Sequence, residues 1–217
     1  MKYELTDETI EHNGRTLHRI RALKSFRTSF GDVKEGDLGG FIESKKNLEQ
    51  KGKCWVFKNG KVYDKGNLSY NAVLIDGEVF DMAQVLNNAV IGGAKIYENA
   101  IVADSARVDE DSKIYGRALI AGNSSISGGS EVYDFAFVTG NSGVGFKSKI
   151  KDHVAIDGGL VTYSEIGKQS LIAGNTVVKD SIIEANLRIT GDSYIENSKI
   201  YKDLEISNKK MYGETIK

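Results

Sequence analysis

A chain of 217 residues holds one domain, or one domain with a small appendage, and is long enough to bury a sizeable core. Its 29 Lys and Arg against 30 Asp and Glu leave a net charge of −1, which excludes a generally basic nucleic-acid binder and an acidic mimic of nucleic acid. With 40% hydrophobic residues, bulk disorder is excluded as well.

Other absences narrow the chemistry. There are 24 glycines and no proline, so the chain turns often and has no proline-rich linker. Cys54 is the only cysteine, which rules out an internal disulfide and a cysteine-cluster zinc site. His12, His18 and His153 are too few and too scattered for a metal centre, and no cofactor is expected. No apolar run is long enough to span a membrane, and the opening Met1-Lys2-Tyr3-Glu4-Leu5 does not read as a signal peptide. The expected location is the cytoplasm.

The first element, residues 1–30, reads as a β-hairpin. Asn13-Gly14 is a strong hairpin turn signal and joins two segments of comparable length. Residues 31–55 are glycine-rich without a clean register and read as a cap that closes the bottom of a repetitive domain. From residue 56 to 207 an aliphatic residue returns every six positions, sometimes every five. The register runs Val56, Val62, Leu68, Leu74, Val79, Val85 and onward to Ile195, Ile200 and Ile206, and all but Leu68 and Leu74 are Val or Ile. A small residue stands two positions earlier in nearly every unit, the exceptions being Val154, Leu187 and Leu204. Residues 208–217 read as a polar, frayed tail.

A helix cannot carry this pattern, because a six-residue step alternates between opposite sides of a 3.6-residue helix. β-Branched residues favour strands, and residues two apart on a strand share a side. Each unit is therefore a very short strand with one aliphatic and one small residue facing inward. Gly122-Asn123, Gly128-Gly129 and Gly140-Asn141 supply turns between units. Three strands and three turns close a triangular coil, and the register fills about nine such coils. The five-residue steps from Leu74 to Val79, Ile91 to Ile96, Val178 to Ile183 and Ile195 to Ile200 recur one coil apart, placing a shortened turn on one corner.

This pattern resembles the hexapeptide-repeat superfamily of left-handed parallel β-helices. The resemblance implies an all-β fold and the left-handed sense of the coil. A closer likeness runs through Leu17–Leu23, Gly31–Ser44 and Gly52–Val56, which look like the N-terminal part of β-helix proteins encoded by bacteriophages and prophages. That likeness implies a phage or mobile-element origin and the host cytoplasm.

Three sets of residues compete for function. The first is catalytic. Acyltransferases are the commonest enzymes of the superfamily, using a histidine base and an acyl-CoA donor. His153, in Lys151-Asp152-His153-Val154, is the one candidate for such a base, and a solvated turn histidine is the plainer reading. No insertion interrupts the register to build a pocket. His12 and His18 flank the hairpin turn, and Cys54 occupies an inward small-residue position and reads as a buried structural thiol.

The second set is aromatic. Tyr63, Phe80, Tyr97, Tyr115 and Tyr133 each follow the inward aliphatic on one face, one coil apart, and should stack as a ladder. Such a ladder is either a stabilising stack or a binding platform for a base, a sugar or a partner's loop. The third set is apolar. Ile101, Leu119, Phe137 and Leu171, with Ala155 between the last two, precede the inward aliphatic on a second face and point away from the core. A contiguous apolar strip of this kind implies an interface, with self-association preferred to docking of another protein. By analogy with the superfamily a trimer is favoured, with a two-fold dimer as the other option. The expected function is a non-catalytic rigid scaffold that binds a host protein, such as a component of a host defence, or sequesters a small ligand, without general nucleic-acid or membrane binding. An acyltransferase and a structural virion component are the alternatives.

Overall fold

The computed structural model describes residues 1–217 and contains strands and turns only. No helix is long and apolar enough to cross a membrane. The chain is a parallel β-helix of about ten coils with an antiparallel hairpin at its N-terminal end.

Three faces repeat in order. On the first, Ile96 pairs with Ile114, Ile114 with Val132 and Val132 with Ile150. On the second, Val85, Val102, Ile120 and Val138 form an equivalent column. On the third, Leu74, Ile91, Val108 and Ile126 do the same. Every aliphatic of the register from Val56 to Ile206 is at most 2% exposed. The second face makes its own 9-stranded sheet. The first and third faces merge into one of 21 strands, because Val73–Val79 and Val90–Ile96 run around the corner between them.

At the first corner, between the first and second faces, the six-residue step works because a four-residue turn fits it. Ala83 donates its amide to the Phe80 carbonyl at 3.1 Å, and Ala118 to Tyr115 at 3.3 Å. The residue after each such carbonyl is left-handed, with φ of 52° at Asp81, 56° at Glu98 and 57° at Asp134. Asp tolerates that region better than most side chains, and Gly116 takes it freely. The side chains at these positions also tie the coils together. Asp81 Oδ2 accepts from the Glu98 amide at 3.1 Å, and Glu98 Oε2 from the Gly116 amide at 2.9 Å.

The ends of the prism differ from the sequence reading. The register begins a coil earlier, since Ile42 and Leu48 are fully buried and align with Val62 and Leu68. Ile42 and Leu48 keep the six-residue step, but the eight residues from Leu48 to Val56, which include the Lys51–Lys53 turn, separate them from the rest of the register. The bottom is closed chiefly by the hairpin. Its strands β1 (Tyr3–His12) and β2 (Arg15–Ala22) extend the first-face sheet, and Tyr3, Ile20 and Ala22 join the main core. Residues 208–217 are not a frayed tail. Lys210–Tyr212 pairs with Tyr194–Glu196, Thr215–Ile216 pairs with Lys199–Ile200, and Met211 is 1% exposed. Met211 and Ile216 continue the inward column in five-residue steps, which the surrounding lysines and glycine obscure.

Candidate functional site

The five ladder residues do stack. Ring centroids lie 5.0, 5.1, 4.9 and 4.8 Å apart from Tyr63 through Phe80, Tyr97 and Tyr115 to Tyr133, and no neighbouring pair departs from parallel by more than 8°. This spacing follows from the strand pairing beneath the rings, which sets adjacent coils about 4.8 Å apart. Above Tyr133 the column passes to Lys151, whose Nζ lies 2.6 Å from Glu165 and 2.8 Å from Glu184.

The ladder is not a free platform along its whole length. Tyr63 is only 2% exposed, because the tip of the hairpin folds over it. Leu17, Phe41 and Tyr63 form a small satellite core, against which Ile10 and Phe80 pack. The Tyr63 hydroxyl donates to Glu78 Oε2 at 2.8 Å, His12 Nε2 lies 3.2 Å from the same oxygen, and Asn13 Nδ2 donates to the Tyr63 hydroxyl at 3.2 Å. Arg15 pairs with both Glu43 and Asp64, which pins the turn to the first corner. Burial, with Glu78 adding to it, pushes the Tyr63 phenol above its ordinary range; burial and Glu131 do the same to Tyr115. Tyr97 and Tyr133 are raised chiefly by burial too. The hydroxyls of Tyr63 and Tyr115 are thus engaged by glutamates on their own face.

The apolar strip is in register across the second face. Ile101 pairs with Leu119, Leu119 with Phe137, Phe137 with Ala155 and Ala155 with Leu171. Phe137 is 39% exposed and the others are half-buried by their neighbours along the column. Two positions further along, on the same outward side, stand Ala103, Ala121 and Ala173 on three of the five strands, with Thr139 and the exposed Asp157 on the two between. The alanines keep the ends of the face low, and Asp157 sets a charge at the edge of its middle. Gln84 bounds the strip below and Arg188 above.

His153 lies on the first corner with its ring 4.8 Å from that of Phe135 and nearly parallel to it. Arg117 sits against the other side of Phe135, 5.4 Å from the ring centre. Asp152 does not orient the histidine, because its Oδ2 accepts from the Lys168 amide at 2.8 Å. The sequence reading missed Phe135, which is 50% exposed and two residues from Phe137. The signal was available, since a large apolar side chain at a turn position has no inward role. His18 lies within the hairpin, with Nδ1 3.3 Å from the Thr6 carbonyl. Cys54 is fully buried at the hairpin base, where Lys2 Nζ donates to its carbonyl at 2.7 Å and contacts its sulfur at 3.1 Å. Burial pushes the thiol up in spite of that ammonium.

Together these features define a parallel β-helix protein whose outer surface carries one partly covered aromatic ladder and one open apolar face. Comparison with protein-family models and with characterised proteins gives no match for the chain.

Proposed function

We propose that the protein is a rigid, non-catalytic binding scaffold that acts as a homo-oligomer joined through its second face. The hexapeptide-repeat resemblance supports a left-handed coil and a trimer in first place, with a two-fold dimer as the other closed arrangement. The phage-like N-terminal stretches support a mobile-element origin, the host cytoplasm as the place of action, and a host protein or a small ligand as what the scaffold holds.

The observation that carries this reading is the in-register strip Ile101, Leu119, Phe137 and Leu171 on the outer side of the second face. Burying several hundred Å² of such a face is worth gross several kcal/mol at ~25 cal/mol per Å², part of which the cost of association offsets. Phe137 is central and the largest side chain of the strip, the setting in which binding hot spots concentrate. The half-buried, glutamate-bound ladder favours stabilisation as its role. The stacking of His153 on Phe135, with Asp152 engaged elsewhere, gives no support to acyl transfer.

Light scattering of the wild type and of Phe137→Glu tests the reading. A multimeric wild type and a folded monomeric variant are expected. A monomeric wild type, or an unchanged multimer in the variant, overturns it.

A further inference from the structure

The corner opposite the second face carries a second, smaller aromatic stack. Phe146 and Tyr163 lie one coil apart with ring centroids 5.0 Å apart and planes within 14°. Unlike Tyr63, each is 54% exposed. Phe146, Lys147 and Tyr163 all adopt left-handed backbone, with φ of 57°, 61° and 51°. On the coil beneath, the positions equivalent to Phe146 and Lys147 are Gly128 and Gly129, at 64° and 69°. Glycine takes this conformation without penalty, whereas a bulky residue there is strained by about 1 kcal/mol or more. Neither core packing nor turn geometry calls for two exposed aromatic rings at such positions.

The column at this corner runs Glu110, Gly128, Phe146, Tyr163 and Asp180. Phe146 Cδ1 lies 3.8 Å from where a Gly128 side chain would begin, so the underside of the ring faces a rung whose residue is glycine. Lys147 borders this rung, its Cγ 4.0 Å from the corresponding point on Gly129. Lys147, like Lys149 on the same coil, takes part in none of the ion pairs, whereas Lys113, Lys151 and Lys179 on neighbouring coils are each held by a glutamate. The floor is Glu110, whose Oε2 accepts from the Gly128 amide at 3.1 Å.

We infer that this corner binds a free nucleoside monophosphate, its base stacked under Phe146 in the outward space that the missing Gly128 side chain leaves and its phosphate met by Lys147. A planar ring completes the stack that Phe146 and Tyr163 begin, and the Lys147 side chain, which passes the glycine rung and has no carboxylate partner, favours an anionic substituent on that ring. Base–aromatic stacking tolerates any base, so the site recognises the class before the individual nucleotide. The site is separate from the second face, and oligomerisation and nucleotide binding can fail independently.

NMR titration of the full chain with AMP tests this, with adenosine, ribose 5-phosphate and a short single-stranded oligonucleotide as comparison arms. Saturable shifts confined to the Phe146 and Tyr163 rings and their neighbours are expected with AMP. Phe146→Ala should weaken AMP about tenfold or more, while Phe146→Tyr retains binding. Lys147→Ala should weaken AMP and leave adenosine unaffected. The inference is overturned if none of AMP, GMP, CMP or UMP saturates, if AMP affinity is the same for Lys147→Ala, or if a folded Phe146→Ala binds as well as wild type. Tighter binding of the oligonucleotide than of AMP would overturn the free nucleotide as the ligand.

Discussion

The amide of Ser181 donates to the Oγ of Ser164, one coil below it, at 3.1 Å. The same bond joins Ser198 to Ser181 at 3.1 Å and Ser164 to Ser148 at 3.2 Å. The three serines that donate, Ser164, Ser181 and Ser198, stand at five-residue corners, such as Val161 to Ile166 and Val178 to Ile183, whereas Ser148, the lowest acceptor, stands at a six-residue one. At these short corners the amide finds no partner within its own turn, and the hydroxyl one coil below accepts it. Where the corner above keeps its full length, as it does above Ser130, the hydroxyl bonds only the Ser127 carbonyl, at 2.7 Å. Ser164→Ala should therefore leave a buried amide unpaired and cost about 1–3 kcal/mol, while Ser130→Ala should cost clearly less. Urea denaturation midpoints compare the two, and equal losses would refute the role given to the shortened corner.

The register makes a sharper test of neighbouring residues. Ile120 is fully buried in the second-face column, and Leu119 points outward beside it. Ile120→Asp buries an unpaired charge and should prevent folding. Leu119→Asp should leave the protomer folded. Circular dichroism distinguishes them, and similar unfolding in both would show the register to be misassigned.

The hairpin clasp has a pH signature. Burial works to raise the Glu78 carboxyl, but the hydrogen bonds from Tyr63 and His12 and the charge of Lys95 outweigh it and hold the group below its ordinary value. A carboxyl lowered on folding contributes its full stability above its unfolded value of about 4.3 and loses it as pH falls through the lowered folded value. Glu78→Gln should thus be less stable than wild type at neutral pH, and the gap should narrow as acidification takes the carboxylate through its lowered folded value. A gap that is constant with pH would remove the ionised carboxylate from the clasp.

Cys54 should be silent in the folded protein. It is fully buried and its thiol is pushed up by burial, so little reactive thiolate is accessible. Alkylating reagents should label it only after denaturation. Labelling of the native chain at the rate of a free thiol would mean that the hairpin base opens readily.

How much of the molecule is legible in its sequence varies with the range of the interaction. The inward column from Val56 to Ile206, the stacking of Tyr63 through Tyr133 and the alignment of Ile101 with Leu119 and Phe137 all come from one short period repeated along the chain. Each unit meets its equivalent one coil away, so a local count predicts a tertiary neighbour. Ile42, Leu48, Met211 and Ile216 escape such a count because the spacing or composition around them departs from the period, although all four pack into or against the core.

By itself the sequence determined the coil, its three faces and which side chains each face presents, because hydrophobic periodicity is a short-range property that burial enforces at every turn. Only the tertiary structure decided what the hairpin does. His12 meets Glu78 across 66 residues, and Lys2 meets Cys54 across 52. No period links those pairs, and their contacts exist only once the prism has formed a surface for the hairpin to close over. That closure converts Tyr63 from the first rung of an exposed ladder into a buried anchor, while leaving Phe146, Tyr163 and the second face open.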